Sequence, residues 1–138
     1  MDVTLYFEKG GEKNYSCFVE QELPGYSLIG YGRDADEAER DLFVSLEEIR
    51  ELRAAEGKET PDINIVDRHF DTPSLFSYHP VTIAALARAT GLNASLLRQY
   101  ACGKRTLGDK NRARIIEGYH RIGQQLLQVS KYLVTDNG

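Results

Sequence analysis

Hydrophobic and polar positions alternate through the first third of the chain and then change to a helical period. Val3-Thr4-Leu5-Tyr6-Phe7 is β-branched and aromatic, and Gly10-Gly11 breaks it. Tyr15-Ser16-Cys17-Phe18-Val19 is a second strand pattern. Leu23-Pro24-Gly25 marks a turn, and Ser27-Leu28-Ile29-Gly30-Tyr31 is a third run. Connections this short predict an antiparallel meander. Ala38, Leu42, Leu46 and Ile49 then recur at helical spacing behind Asp34 and Glu37, which have capping-box spacing. The acids between them, including Glu39, Asp41, Glu47, Glu48 and Glu51, read as the solvated side of that helix. Gly57 ends it, and Ile63-Asn64-Ile65-Val66 after Pro61 predicts a returning strand. The pattern up to residue 71 is therefore a βββαβ unit.

Asp71-Thr72-Pro73-Ser74 and Tyr78-His79-Pro80 bracket Leu75-Phe76, so residues 72–79 read as a linker. Residues 80–138 read as all-helical. Thr82 caps a helix carrying Leu86 and Ala87 that stops at Gly91. Asn93 caps a second helix with Leu97 and Tyr100 inward, which ends at Gly103. Ala87 is the small residue expected where two helices cross closely, and Gly91 supplies the left-handed position of a tight turn. From Lys110 to Leu133 one long helix is expected. Ile115, Tyr119, Ile122, Leu126, Val129 and Leu133 form a heptad seam on it, widened by Ile116, Gly123 and Leu127. The first half of that seam has partners within the chain, and its C-terminal half is long enough to reach a second subunit. The fold class is α+β, a small sheet-and-helix domain followed by a helical one.

Composition adds one decisive feature. The 138 residues are 41% hydrophobic and 28% charged with a net charge of −4, which is ordinary for a globular chain. That total hides a split, however. Residues 1–77 hold 8 Lys+Arg against 18 Asp+Glu, and residues 78–138 hold 9 against 3, so the halves carry −10 and +6. An acidic first half and a basic second half point to different partners, with nucleic acid the candidate for the basic one. No run approaches the roughly 18 apolar residues of a membrane span, and the N-terminus has no basic-then-apolar leader pattern. A cytoplasmic location is expected. Cys17 and Cys102 lie far apart and form no zinc pattern, which fits a reduced chain.

Ile83 to Cys102 resembles the helix-turn-helix of Cro/repressor-type regulators, and Gly103-Lys104-Arg105 is similar to the Gly-Lys tail that often follows it. That resemblance makes the second helix the reader of double-stranded DNA. Ala94, Ser95, Arg98 and Gln99 would face the major groove with Asn93 at its lip, Arg98 suiting a guanine edge and Gln99 an adenine. Lys104, Arg105, Lys110 and Arg112 would contact phosphates. Ala94 and Ser95 are small for base reading, so discrimination is modest or shared with other elements.

Glu22-Leu23-Pro24-Gly25-Tyr26, Gly30-Tyr31-Gly32 and Asp36-Glu37-Ala38 resemble the HicB antitoxin pattern over about residues 15–56. Glu22, Tyr26 and Gly32-Arg33-Asp34 depart from it. The resemblance implies a partial ribonuclease-H-like domain that masks a small basic ribonuclease toxin (HicA-like), joined to a DNA-binding tail that represses its own operon. Operator symmetry would favour a homodimer or a higher even oligomer. The alternative is a stand-alone regulator whose first domain senses a ligand or mediates oligomerisation. No cofactor, metal site or catalytic residue is expected. Glu8, Glu48 and Asp67 are the carboxylates an active two-metal nuclease would have to bring together. His69, His79 and His120 have no ligand spacing.

Overall fold

The computed structural model describes residues 1–135, which form a four-stranded mixed sheet and five helices in two compact units, Met1–His79 and Pro80 onward. In the first unit, β1 (Asp2–Lys9), β2 (Tyr15–Val19) and β3 (Ile29–Gly32) form the antiparallel meander. Helix α1 (Ala35–Ala55) crosses over, and β4 (Asn64–Phe70) adds parallel to β1, giving the order β3-β2-β1-β4. A bulge between Val3 and Thr4 shifts the β1–β4 register by one residue. It leaves Val66 as the unmatched residue of β4 and puts Arg68, rather than Asp67, opposite Leu5.

Val3, Leu5, Phe7, Tyr15, Cys17 and Val19 point to one face and are buried under Ala35, Ala38, Leu42 and Leu46 of α1. Asp34 caps that helix by accepting from the Glu37 N–H at 2.8 Å. Glu37 reaches back to the Arg33 N–H at 3.4 Å, so the box closes one residue further out than usual. The Gly-Tyr-Gly of β3 has a packing reason. A Cβ on Gly30 would collide with the Leu42 backbone nitrogen and the Ala38 carbonyl oxygen, and one on Gly32 would lie 2.5 Å from the Ala38 nitrogen. Helix α1 therefore rests directly on the backbone of β3.

Residues 72–79 are not a linker. Thr72–Ser77 is a helix, α2, with Asp71 as its cap accepting from the Ser74 N–H at 2.9 Å. Pro73 reads as a breaker in sequence, yet in the first turn of a helix its missing N–H had no partner to lose. The segment is tied to the sheet unit at both ends. Asp71 also accepts from the Lys9 N–H at 2.8 Å, and the Ser77 hydroxyl accepts from the Ala35 N–H at 2.9 Å. The Tyr78 ring packs at a tilt against Phe7 and Phe70, and its hydroxyl donates to Glu39, which pairs with Arg68 at 2.6 Å. The His79 N–H donates to Asp36 at 2.7 Å. The first unit thus runs to His79 rather than to residue 71.

The second unit consists of α3 (Ile83–Thr90), α4 (Ala94–Cys102) and α5 (Asp109–Thr135). Leu86, Leu92, Leu97, Tyr100, Ile115 and Ile122 are its buried apolar residues.

Candidate nucleic-acid interface

Local sequence chemistry sets both ends of the short helices. The Thr82 hydroxyl accepts from the Ala85 N–H at 3.0 Å, and Gly91 closes α3 at φ +74°. Only Gly91, Leu92 and Asn93 separate α3 from α4, and buried Leu92 anchors that turn. Thr90 stabilises the turn further. Its hydroxyl donates to the Leu86 carbonyl at 2.7 Å and accepts from the Leu92 N–H at 3.1 Å. Asn93 then accepts from the Ser95 N–H at 2.7 Å, and Gly103 ends α4 at φ +82°.

Leu97 and Tyr100 face inward from α4, and the Tyr100 hydroxyl accepts from the Asn111 amide of α5 at 2.9 Å. With one side of α4 anchored in this way, the other is left outward. Ser95 and Arg98 are exposed, while Ala94 and Gln99 are half-buried and flank them. The Arg98 side chain makes no hydrogen bond or ion pair with any described residue. Lys104 and Arg105 are exposed directly after Gly103, and Lys110 is exposed at the start of α5. Arg112 is exposed too, with one guanidinium nitrogen donating to the Leu107 carbonyl at 3.3 Å. The nine residues expected from sequence fall on α4, its cap, the turn after it and the first turn of α5. Asn93 is committed by its side-chain oxygen to the cap, which leaves its amide nitrogen as the group able to donate outward.

Ala87 is half-buried on α3, and a further close approach, between α3 and α5, lies at Gly118. A Cβ there would lie 2.5 Å from the Thr90 methyl and 3.6 Å from Leu86. Two arginines that sequence reasoning passed over as generic positive charge hold the same junction. Arg114 donates to the Thr90 carbonyl at 2.9 Å, and Arg121 donates to the Ala89 carbonyl at 3.1 Å while pairing with Glu117 at 2.6 Å. They satisfy carbonyls left over at the C-terminus of α3, where the helix dipole favours cations. Their spacing of seven on one helix face, opposite a helix ending in glycine, was the available signal.

Along α5 the seam splits in two. Ile115 and Ile122 are buried and Tyr119 is half-buried, its hydroxyl pushed above the usual tyrosine range by desolvation. Leu126, Val129 and Leu133 are 60%, 51% and 72% exposed. Beside them, Ile116, Tyr119, His120, Gly123 and Leu127 line a shallow apolar hollow.

The carboxylates of the nuclease reading are not brought together. Glu8 and Asp67 lie on the sheet face turned away from α1, whereas Glu48 is exposed on α1 itself. No group of three or more His, Cys, Asp or Glu among the described residues is placed to hold a metal ion. Cys17 is buried, which with the nearby Glu39 charge pushes its thiol up to about 12, and Cys102 is exposed at the end of α4. No helix among the described residues is long and apolar enough to cross a membrane. In comparisons with known proteins, the chain matches no family model, no curated protein and no solved structure.

Proposed function

We propose that the chain is an antitoxin-type repressor. Residues 80 onward form a helix-turn-helix that binds operator DNA through α4, and the acidic first unit, a partial ribonuclease-H-like domain, masks a small basic ribonuclease. The observation that carries the DNA half is the outward row of Ser95 and Arg98 on a helix capped at both ends and held from behind, continued by exposed Lys104, Arg105 and Lys110. An exposed arginine with no intramolecular partner keeps all its donors for a base edge. The basic residues around it supply the sequence-independent attraction to phosphate. The −10 of the first unit supports the other half of the reading, because an opposite surface charge speeds encounter with a basic protein.

Co-expression of the full chain with the product of an adjacent short reading frame tests the masking role. The small basic protein should co-elute with the chain and lose its ribonuclease activity in the complex. A chain that binds operator DNA yet neither retains nor inhibits such a protein would be a stand-alone regulator.

The same reading places a second copy of the chain on the distal half of α5, where the heptad seam continues past the chain's own core as Leu126, Val129 and Leu133. Leu126→Asp should convert a dimer to monomer in light scattering, because a carboxylate buried without a partner is costly. An unchanged mass would put the dimer contact on another surface.

A further inference from the structure

The sheet face turned away from α1 bears an unusual combination of groups. Cross-strand register aligns Ile29, Phe18, Tyr6 and His69 side by side across all four strands. The Tyr6 ring stacks on Phe18 at 5.7 Å and 20° and on His69 at 5.2 Å and 17°, so the rings of three strands form one stacked row with Tyr6 in the middle. Tyr6 and Phe18 are half-buried, while Ile29, Tyr31 and His69 are exposed. Apolar and aromatic groups gathered on one sheet face and rimmed by charges are the kind of surface on which partners dock.

The charges around the row decide what it takes. Asp2, Glu8 and Asp67 occupy strand positions facing the same way, and no Lys or Arg does. Lys9 and Arg68 fall on the opposite side of their strands, Arg68 paired there with Glu39. An aromatic platform for single-stranded nucleic acid needs cations along the backbone path, and here a phosphate would meet carboxylates instead. We propose that this face docks an arginine-bearing surface of a basic protein. Guanidinium planes would extend the ring row at its ends, on the outer faces of His69 and Phe18, with Glu8 and Asp67, the latter already 3.0 Å from the His69 Nε2, accepting their N–H groups. The inference rests on the masking reading above and names the surface that performs it. Arginine rather than lysine is the cognate group, because only a planar guanidinium both stacks on a ring and forks onto a carboxylate.

The test titrates the full-length chain with nona-arginine, nona-lysine and oligo-uridine, following backbone amides by NMR. Nona-arginine should shift the amides of Thr4, Tyr6, Phe18 and His69 and bind several-fold tighter than nona-lysine. Glu8→Gln with Asp67→Asn should weaken it about tenfold, since two charge-assisted acceptors are lost. Glu47→Gln with Glu48→Gln removes the same charge from α1 and should cost less than twofold, as exposed charges are screened. Equal losses for the two pairs, shifts centred on α1, or oligo-uridine occupying these amides would overturn the assignment. A small basic protein that still co-elutes with the Glu8→Gln/Asp67→Asn chain would also overturn it while leaving the masking reading intact. Failure of co-elution with the unsubstituted chain would instead remove that reading, and the peptide titration would still decide the face.

Discussion

Gly30→Ala should abolish protection of the first unit in hydrogen-exchange mass spectrometry while leaving residues 80 onward protected. The added methyl has no flexible neighbour to displace, since it would meet the Leu42 nitrogen and the Ala38 carbonyl oxygen, with the Leu42 Cα at 2.8 Å. Relief requires lifting α1 off β3, which opens the contact made by Ala38, Leu42 and Cys17, all fully buried. Overpacking a core against side chains costs about 1–3 kcal/mol, and the upper end or beyond applies when backbone must move. A unit of this size has little stability to spare. Two controls separate the steric effect from the loss of glycine itself. Gly11→Ala meets nothing within 4 Å and should be silent. Gly57→Ala also meets nothing but sits at φ +74°, so it should cost about 1 kcal/mol from the left-handed backbone alone. Full protection in the Gly30 variant would mean that α1 does not rest on β3 this closely.

On operator DNA, Arg98→Ala should lose about 1–3 kcal/mol, roughly 5- to 150-fold in affinity, with a much smaller loss on random DNA. Its side chain is exposed and has no hydrogen-bond or ion-pair partner among the described residues, so the effect of the substitution reports mainly on the ligand. Lys104→Ala should behave differently. A phosphate contact carries no sequence information, so both DNAs should weaken alike and the salt slope should fall by about one, with one fewer counterion released. Titrations on both DNAs at several salt concentrations make the comparison. Equal losses for Arg98→Ala on the two DNAs would remove it from the reading face, and no loss for either variant would count against α4 as a DNA binder.

Elements whose information is local were legible without the fold. The three caps at Asp34, Thr82 and Asn93, and the left-handed stops at Gly91 and Gly103, each depend on a few adjacent residues and occur where the pattern predicts them. The βββαβ order and the long final helix were equally readable, because period and turn chemistry are carried by consecutive positions. Pro73 shows the limit of such reading. A proline in the first turn of a helix and a proline in a linker are the same letter, and only the contacts of Asp71, Ser77 and Tyr78 with the sheet unit distinguish them.

The sequence by itself therefore determined the elements, their order, the two-part charge and the outward arginine of α4, all properties of neighbouring residues. Tertiary structure alone decided which small residues carry the packing. Gly118 admits α3 close to α5, and Gly30 and Gly32 bear α1, because a close approach belongs to two segments distant in sequence. It also decided that Arg114 and Arg121 serve the end of α3. It stacked Tyr6, Phe18 and His69 in one row, since strand register, shifted by the bulge at Val3/Thr4, is fixed by the whole sheet and not by any strand alone.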